Sequence, residues 1–352
     1  MKKTIPYTVA HLTDFDEIID VRSPAEFALD HIPGAINYPV LNDEERVIVG
    51  TLYKQASDFE AKKVGAAIIA RNIAYHLETH FANKPKSWNP LVYCWRGGSR
   101  SGAMAHILNQ VGWRTGKLDG GYKHYRRTVL EELAQLPNKL QLIVVCGLTG
   151  SGKSKLLQAL QIQGAQVLDL EQLAAHRGSI LGNLPEIPQP SQKMFDSLIW
   201  WKLRQFDPAR PVFVEAESKK IGKLRVPEAL IMAMWRNPKC LRMEISSQLR
   251  IALLKSDYEH FLTDPSSLNQ KLAFLTRTYG HAQISEWQTL VNNAQWETLV
   301  LALLEKHYDP FYTQSITHHY PDYLNATQVQ VTDISEGGMM VLARKIQAEV
   351  SI

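Results

Sequence analysis

The chain has 352 residues, too many for one ordinary hydrophobic core, which makes two domains the expectation. Hydrophobic residues at 45% and charged residues at 21% describe a globular protein and exclude a disordered one. The net charge of +4 permits an anionic partner without demanding one, and no apolar run reaches the roughly 18–20 residues a bilayer-spanning helix needs.

Three cysteines without metal spacing argue against a disulfide framework. The opening Met1-Lys2-Lys3-Thr4-Ile5-Pro6-Tyr7 is basic but lacks the apolar stretch of a secretory signal. A monomer in a reducing cytoplasm, with no membrane partner, is the expected setting.

In chain order, Asp16 to Val21 reads as a short buried strand, and Ser23-Pro24 supplies an N-cap with proline at the first helical position. His31-Ile32-Pro33-Gly34-Ala35-Ile36-Asn37 reads as a turn back into the sheet. Residues 42–90 form a charged, helix-prone insert that includes Glu44-Glu45-Arg46. Within it, Ser57-Asp58-Phe59-Glu60 has capping-box spacing and predicts a helix to about Phe81, with Ala66, Ile69, Ala70, Ile73 and Leu77 on its buried side. Asn89 to Tyr93 is the next strand, followed by the loop Cys94 to Arg100 and a helix from Ser101 to Val111. A third strand spans Arg114 to Leu118, ahead of Asp119-Gly120-Gly121-Tyr122. A connecting helix, Thr128 to Leu136, ends at Pro137-Asn138, which sets the expected domains at 1–137 and 138–352.

Cys94 stands where a strand ends and a glycine-containing loop enters a helix. Loop amides and a helix N-terminus then face the sulfur, and Trp95, Arg96, Gly97, Gly98, Ser99 and Arg100 complete an anion-holding loop. Such surroundings favour the nucleophilic thiolate, whereas Cys146 and Cys240 lie inside apolar strands and read as structural.

The second half opens on the apolar strand Leu142 to Cys146, which runs directly into Gly147-x-x-x-x-Gly152-Lys153-Ser154. This is the spacing of a phosphate-cradling P-loop. Gly147, Gly150 and Gly152 turn backbone N–H groups inward, Thr149 and Ser151 belong to the same cradle, Lys153 brings a mobile positive charge, and Ser154 offers a hydroxyl to a magnesium ion. Strands at 166–170, 211–215, 240–245 and 327–331, separated by helix-prone stretches, predict a parallel α/β sheet, while Leu184 to Pro190 reads as an exposed loop. Asp169, at a strand end, suits either magnesium or a substrate hydroxyl on one hand, or a helix cap on the other. Glu215 and Glu217 stand where a magnesium-orienting carboxylate would sit.

Two basic segments are candidate contacts for RNA or diphosphate. Ser218, Lys219, Lys220, Lys223 and Arg225 form one, which reads more readily as a solvated face. Lys117, Lys123, His124, Arg126 and Arg127 form the other, with Tyr122 and Tyr125 interleaved either for base stacking or for core packing. Trp200-Trp201, at helical spacing with Met194, Phe195 and Leu198, read as core rather than as the wall of an apolar-chain channel. His318-His319 lack the partners of a metal site, and no protein-only metal site is expected.

Asp20-Val21-Arg22-Ser23-Pro24-Ala25-Glu26-Phe27, His31 to Asn37, the Cys94 loop and Leu118-Asp119-Gly120-Gly121-Tyr122 resemble a rhodanese domain. That domain ahead of a P-loop domain resembles the tRNA 2-selenouridine synthase family. Val49-Gly50-Thr51-Leu52-Tyr53-Lys54-Gln55, Val214 to Gly222 and Tyr308-Asp309-Pro310-Phe311-Tyr312 are further stretches similar to it. The resemblance implies a rhodanese-like domain fused to a P-loop NTPase-like parallel α/β domain. It implies transfer of a geranyl group from geranyl diphosphate to the sulfur of wobble 2-thiouridine in tRNA, then replacement by selenium from selenophosphate. Cys94 would carry that selenium, both donors would be co-substrates, and no tightly bound cofactor is implied. The alternative is a rhodanese sulfurtransferase or cysteine-phosphatase-like domain fused to a nucleotide-dependent kinase, since Cys94-x5-Arg100 would also embrace a phosphate. A nucleotide-sensing adaptor is a third reading, disfavoured by an intact Cys94 with two loop arginines.

Overall fold

Short aliphatic runs build the first sheet. The computed structural model describes residues 6–179, 181–185, 187–236 and 239–350. In it β1 (Pro6–Tyr7), β2 (Glu17–Asp20), β3 (Ile36–Asn37), β4 (Pro90–Tyr93) and β5 (Gly116–Leu118) pair in the order β1-β5-β4-β2-β3, all parallel. Ile19, Leu91 and Val92 are fully buried. Each contributes roughly 1.5–3 kcal/mol relative to an exposed side chain.

Helix α1 (Pro24–Leu29) starts at Ser23, whose N–H donates to the Glu26 carboxylate at 3.2 Å. Helix α2 (Asp43–Gln55) is capped by Asn42, which accepts the Glu45 N–H at 2.8 Å. Helix α3 (Asp58–His76) begins where Ser57 accepts the Glu60 N–H, and a π-turn continues it to Phe81, the expected end. Its buried face is rotated from the expected one. Ala61, Gly65, Ile69 and Ile73 turn inward, while Ala66 and Ala70 are exposed.

Helix α4 (Ser99–Val111) follows the cysteine loop and stops at Gly112. Helix α5 (Gly121–Leu133) begins at Gly121 rather than Thr128, because Gly120 and Gly121 both adopt positive φ and turn the chain directly into the helix.

The second sheet is also entirely parallel. It comprises β6 (Gln141–Cys146), β7 (Gln166–Leu168), β8 (Pro211–Glu215), β11 (Cys240–Ile245) and β12 (Thr327–Val331), in the order β12-β11-β6-β8-β7. An antiparallel hairpin, β9 (Lys220–Ile221) and β10 (Leu224–Arg225), stands apart from it and has no counterpart in the sequence expectations. Strand β6 is the switch point, with β8 and β7 on one side and β11 and β12 on the other. Ligands of open α/β sheets gather at the carboxyl ends around such a strand.

The helices after β6 are α6 (Lys153–Ile162), α7 (Leu170–Leu173), α8 (Gln192–Gln205) and α9 (Glu228–Arg236). Between β11 and β12 lies a helical block: α10 (Ser247–Asp257), α11 (Glu259–Thr263), α12 (Pro265–Ala273), α13 (Thr276–Asn292), α14 (Trp296–Leu303) and α15 (Asp309–His319). The closing helix α16 (Glu336–Val350) packs on α6 through Met339, Ala343 and Ile346.

Two compact units result: Met1–Glu132 with Pro190–Trp201, and Leu133–Gln189 with Lys202–Ile352. Polar bonds hold Pro190–Trp201 in the first unit. Asp30 is fully buried and accepts from Ser197 Oγ at 2.8 Å and Tyr122 Oη at 2.7 Å. Arg126 donates to Asp196 at 2.5 Å and to the Lys193 carbonyl at 2.9 Å. Trp200 packs edge-on against Tyr125, with centroids 5.3 Å apart, and its indole N–H donates to Glu132. Trp200 is therefore core, and Tyr122 and Tyr125 are buried core residues rather than stacking platforms for bases.

Candidate functional sites

In the first unit, the buried strand β4 delivers Cys94 to the start of the loop. The loop is held from behind by the turn after β5: Tyr122 N–H donates to the Cys94 carbonyl at 2.8 Å, and Lys123 N–H to the Trp95 carbonyl at 2.9 Å. This close approach needs glycine. Gly121 has φ +57°, and a Cβ there would overlap the Cys94 carbonyl and lie 2.6 Å from the Gly97 nitrogen. The Asp20-Val21-Arg22 motif has a structural task. Arg22 is buried, donates to Asp20 and to the Asp30 carbonyl at 2.6 Å, and lies over the Tyr122 ring at 4.0 Å.

The Cys94 sulfur lies 3.1 Å from the Ser101 hydroxyl in the first turn of α4, which places it at that helix's N-terminal end. Only 2% of Cys94 is exposed, yet it borders a cavity of about 510 Å³. Trp95, Arg96, Gly98, Ser99 and Arg100 line the same cavity, and Gly97 does not. Arg96 is exposed and makes no hydrogen bond or ion pair among the described residues. Arg100 is different, since Glu26 takes its guanidinium at 2.6 Å, with Arg46 3.8 Å from the same carboxylate. Burial would raise the Glu26 pKa, but the Arg100 hydrogen bond and charge outweigh it and hold the carboxyl below the ordinary glutamate value. An Arg100 so engaged does not form the free cysteine–arginine clasp of a phosphatase.

In the second unit, β6 opens into the P-loop as the spacing predicts. Gly150 and Gly152 have φ of +76° and +85°, and α6 begins directly at Lys153. Lys153 Nζ donates to the Gly147 carbonyl at 2.8 Å. Residues Thr149 to Ser154 line a cavity of about 660 Å³. Its other wall comes from the helical block and is aromatic, with Tyr258, Tyr308, Phe311, Tyr312 and Tyr320.

Three carboxylates, Asp169, Glu171 and Glu217, line this cavity, and Glu215 adjoins them without lining it. Asp169 caps α7 by accepting the Gln172 N–H at 2.8 Å and also lines the cavity, so the capping alternative holds without removing it from the site. Ser154 Oγ donates to Glu171 at 3.1 Å, and Glu171 N–H donates to Glu215 at 2.8 Å. Glu215 is buried, and its Oε2 has no hydrogen-bond partner among the described residues. Burial first, then the neighbouring Asp169, Glu171 and Glu217, pushes the Glu215 carboxyl well above its ordinary range. Burial and Glu171 do the same to Glu217.

The basic candidates divide. Arg126 is engaged by Asp196 and the Lys193 carbonyl, Arg127 lies 3.7 Å from Glu131 on the surface, and Lys123 is exposed. Lys219, Lys220 and Arg225 sit on the exposed side of the β9–β10 hairpin, and none of them lines the phosphate cavity. The Lys219 ammonium lies 5.2 Å from the Trp235 ring centroid. His319 stacks on Trp235, and among the described residues no three His, Cys, Asp or Glu side chains are arranged to hold a metal ion by themselves.

Sequence reasoning missed Glu171, Arg250, Asp309 and Tyr312 as parts of this site. Arg250 Nε donates to the Thr149 carbonyl at 2.9 Å while its guanidinium grips Asp309 at 2.5 and 2.9 Å. Asp309 and Tyr312 lie in a stretch singled out only for its family likeness, and Glu171 stands two residues beyond the singled-out Asp169. Arg250 carries no local signal.

Residues 140–334 match the family model described as the tRNA 2-selenouridine synthase AAA domain, and residues 7–128 match that of the rhodanese-like domain. A protein named tRNA 2-selenouridine synthase from Nitrosomonas europaea is 34% identical over 266 residues, covering 72% of this chain and 66% of that protein. One of the same name from Shewanella halifaxensis is 31% identical over 334 residues, covering 85% of this chain and 88% of that protein. A solved N-terminal domain of a protein titled as ATP/GTP binding, from Clostridium difficile 630, is 34% identical across 36% of this chain and 99% of that one, at a TM-score of 0.32.

Proposed function

The chain belongs to the tRNA 2-selenouridine synthase family, and on that premise we propose that it is a tRNA-modifying transferase converting wobble 2-thiouridine to 2-selenouridine through an S-geranyl intermediate. The observation that carries this reading is the division of labour in the side chains. One unit holds a thiol beside a cavity lined by Arg96, which makes no hydrogen bond or ion pair among the described residues, and the other joins a phosphate loop to an aromatic wall within one cavity.

In the first step, the uridine sulfur bonds to the terminal geranyl carbon as that carbon's bond to diphosphate breaks. The P-loop amides and Lys153 would hold the departing diphosphate, whose developing charge they offset. The aromatic wall would take the hydrocarbon chain. Magnesium suits this site, because it prefers oxygen donors and commonly takes one or two carboxylates together with substrate phosphates. Ser154, Glu171 and the unpartnered Oε2 of Glu215 are donors of that kind. A magnesium ion held there would supply positive charge to the leaving diphosphate.

In the second step, water would take the phosphoryl group of selenophosphate as the P–Se bond breaks. The selenide so released, held at Cys94, would bond to C2 of the base as the C2–S bond breaks and geranylthiol leaves. Selenium stays at the selenide level, so no oxidant or reductant is needed. Alkylation makes that sulfur a better leaving group than it is in 2-thiouridine. Among the described residues no helix is long and apolar enough to cross a membrane, and we place the protein in the cytoplasm with its tRNA, as a monomer. Lys123, Lys219, Lys220 and Arg225 are the proposed RNA contacts.

The test is stepwise. Purified protein is given 2-thiouridine tRNA and geranyl diphosphate, then selenophosphate, with nucleoside mass spectrometry after each addition. S-geranyl-2-thiouridine should appear first and 2-selenouridine second. Lys153→Ala should block the first product, and Cys94→Ala should block only the second. Absence of both products from the unaltered protein would sink the proposal.

A further inference from the structure

The cavity beside Cys94 is larger and more apolar than a selenium carrier requires. One selenium atom on a thiol needs a small anion-holding loop. The cavity measures about 510 Å³, within the roughly 300–1,000 Å³ range of small-molecule sites. Its wall is aliphatic: Val49 comes from α2, Ala66, Ile69, Ala70 and Ile73 from α3, and Ile107 from α4. Arg96 adds positive charge to the lining, whereas Lys62 is paired with Asp58 and Arg46 lies 3.8 Å from the Glu26 carboxylate.

This wall is made by the helical insert. Helices α2 and α3 meet where Gly65 faces Val49, so close that a Cβ on Gly65 would lie 3.3 Å from a Val49 methyl. Exposed Ala66 and Ala70 also line the cavity, and alanine leaves room there that a larger side chain would fill. Apolar surface facing water in a concave site is stabilised by a hydrocarbon occupant, roughly in proportion to the area covered. Such a lining favours a ligand that carries hydrocarbon next to the atom that meets the thiol.

We propose that the Cys94 cavity is a hydrocarbon subsite, built by the α2–α3 insert, that holds the prenyl chain on the substrate sulfur during selenium exchange. This rests on the S-geranyl intermediate proposed above and assigns that intermediate's chain a place in the first unit. The insert thereby sets which S-alkyl groups are exchanged, while Arg96 meets a phosphate of the RNA.

The test uses full-length protein, selenophosphate and anticodon stem-loops bearing S-methyl, S-dimethylallyl or S-geranyl 2-thiouridine. A single methylene in an apolar pocket discriminates by roughly tenfold or more, so kcat/KM should rise at least about tenfold from methyl to geranyl. Ala66→Phe and Ala70→Phe, at exposed helical positions that tolerate substitution, should lower the geranyl-to-methyl ratio by about tenfold as the ring fills the cavity. Circular dichroism melting confirms that both variants fold. Exchange without chain-length preference, or a ratio unchanged in both folded variants, overturns the hydrocarbon subsite and leaves the proposed function standing. No exchange on any of the three stem-loops by the unaltered protein overturns the proposed function and the subsite with it.

Discussion

The Gly147 amide donates to the Tyr312 hydroxyl at 2.8 Å, across 165 residues of chain. This bond fixes the first glycine of the P-loop from the helical block rather than from the sheet. Lys153 lies over the same ring, 5.4 Å from its centroid, so one tyrosine braces both ends of the phosphate cradle.

Tyr312→Phe keeps the ring and removes the acceptor. Leaving a buried amide unsatisfied costs about 1–3 kcal/mol, so the melting temperature should fall by a few degrees, and kcat/KM for geranyl diphosphate should fall roughly tenfold as the cradle loosens. Unchanged kinetics in this variant would reduce Tyr312 to a packing residue.

Asp309→Asn tests the clamp behind the loop. Arg250 is 4% exposed and depends on Asp309 for its neutralising charge. Removing one partner of a buried pair strands the other, at about 3–5 kcal/mol, somewhat less here because Asp309 is partly exposed. Urea unfolding should show a lower midpoint with the slope unchanged.

Gly121→Ala should disrupt the cysteine loop, because the position has φ +57° and the new Cβ would meet the Cys94 carbonyl. The left-handed conformation alone costs about 1–2 kcal/mol for an alanine, and the overlap adds to it. Gly102→Ala, inside α4 and away from the cavity lining, is the control, since its Cβ would meet nothing within 4 Å. Selenium exchange should be lost in the first variant and retained in the second.

The carboxylate cluster predicts a pH dependence. Glu215 and Glu217 have folded-state pKa values raised above the ordinary glutamate value of 4.5, by burial first and then by their acidic neighbours. A raised acid favours the folded state while protonated, so its contribution is complete below the ordinary value and is lost as pH climbs through the raised one. Without ligand, the melting temperature should therefore fall as pH rises above the ordinary carboxylate range. Glu215→Gln, which cannot ionise, should flatten that slope. A slope identical to that of the unaltered protein would show that Glu215 stays charged throughout.

Much of this protein is determined locally. The Gly147 to Ser154 spacing, the Ser57 and Ser23 caps and the aliphatic strand runs depend on neighbours a few residues away, and periodicity reports them directly. The Cys94 loop is legible for the same reason, as a strand end, two glycines and a helix start in direct succession. Tertiary structure alone decided which charges are available. Glu26 engages Arg100, Asp196 engages Arg126, and Asp309 holds Arg250 against the Thr149 carbonyl, each across 59 or more residues. It also assigned Pro190–Trp201 to the first unit and turned Ala66 and Ala70 outward beside a cavity. Ion pairs and cavity walls depend on separations in space, and nothing in the spacing of a linear chain records which distant side chain will arrive to fill them.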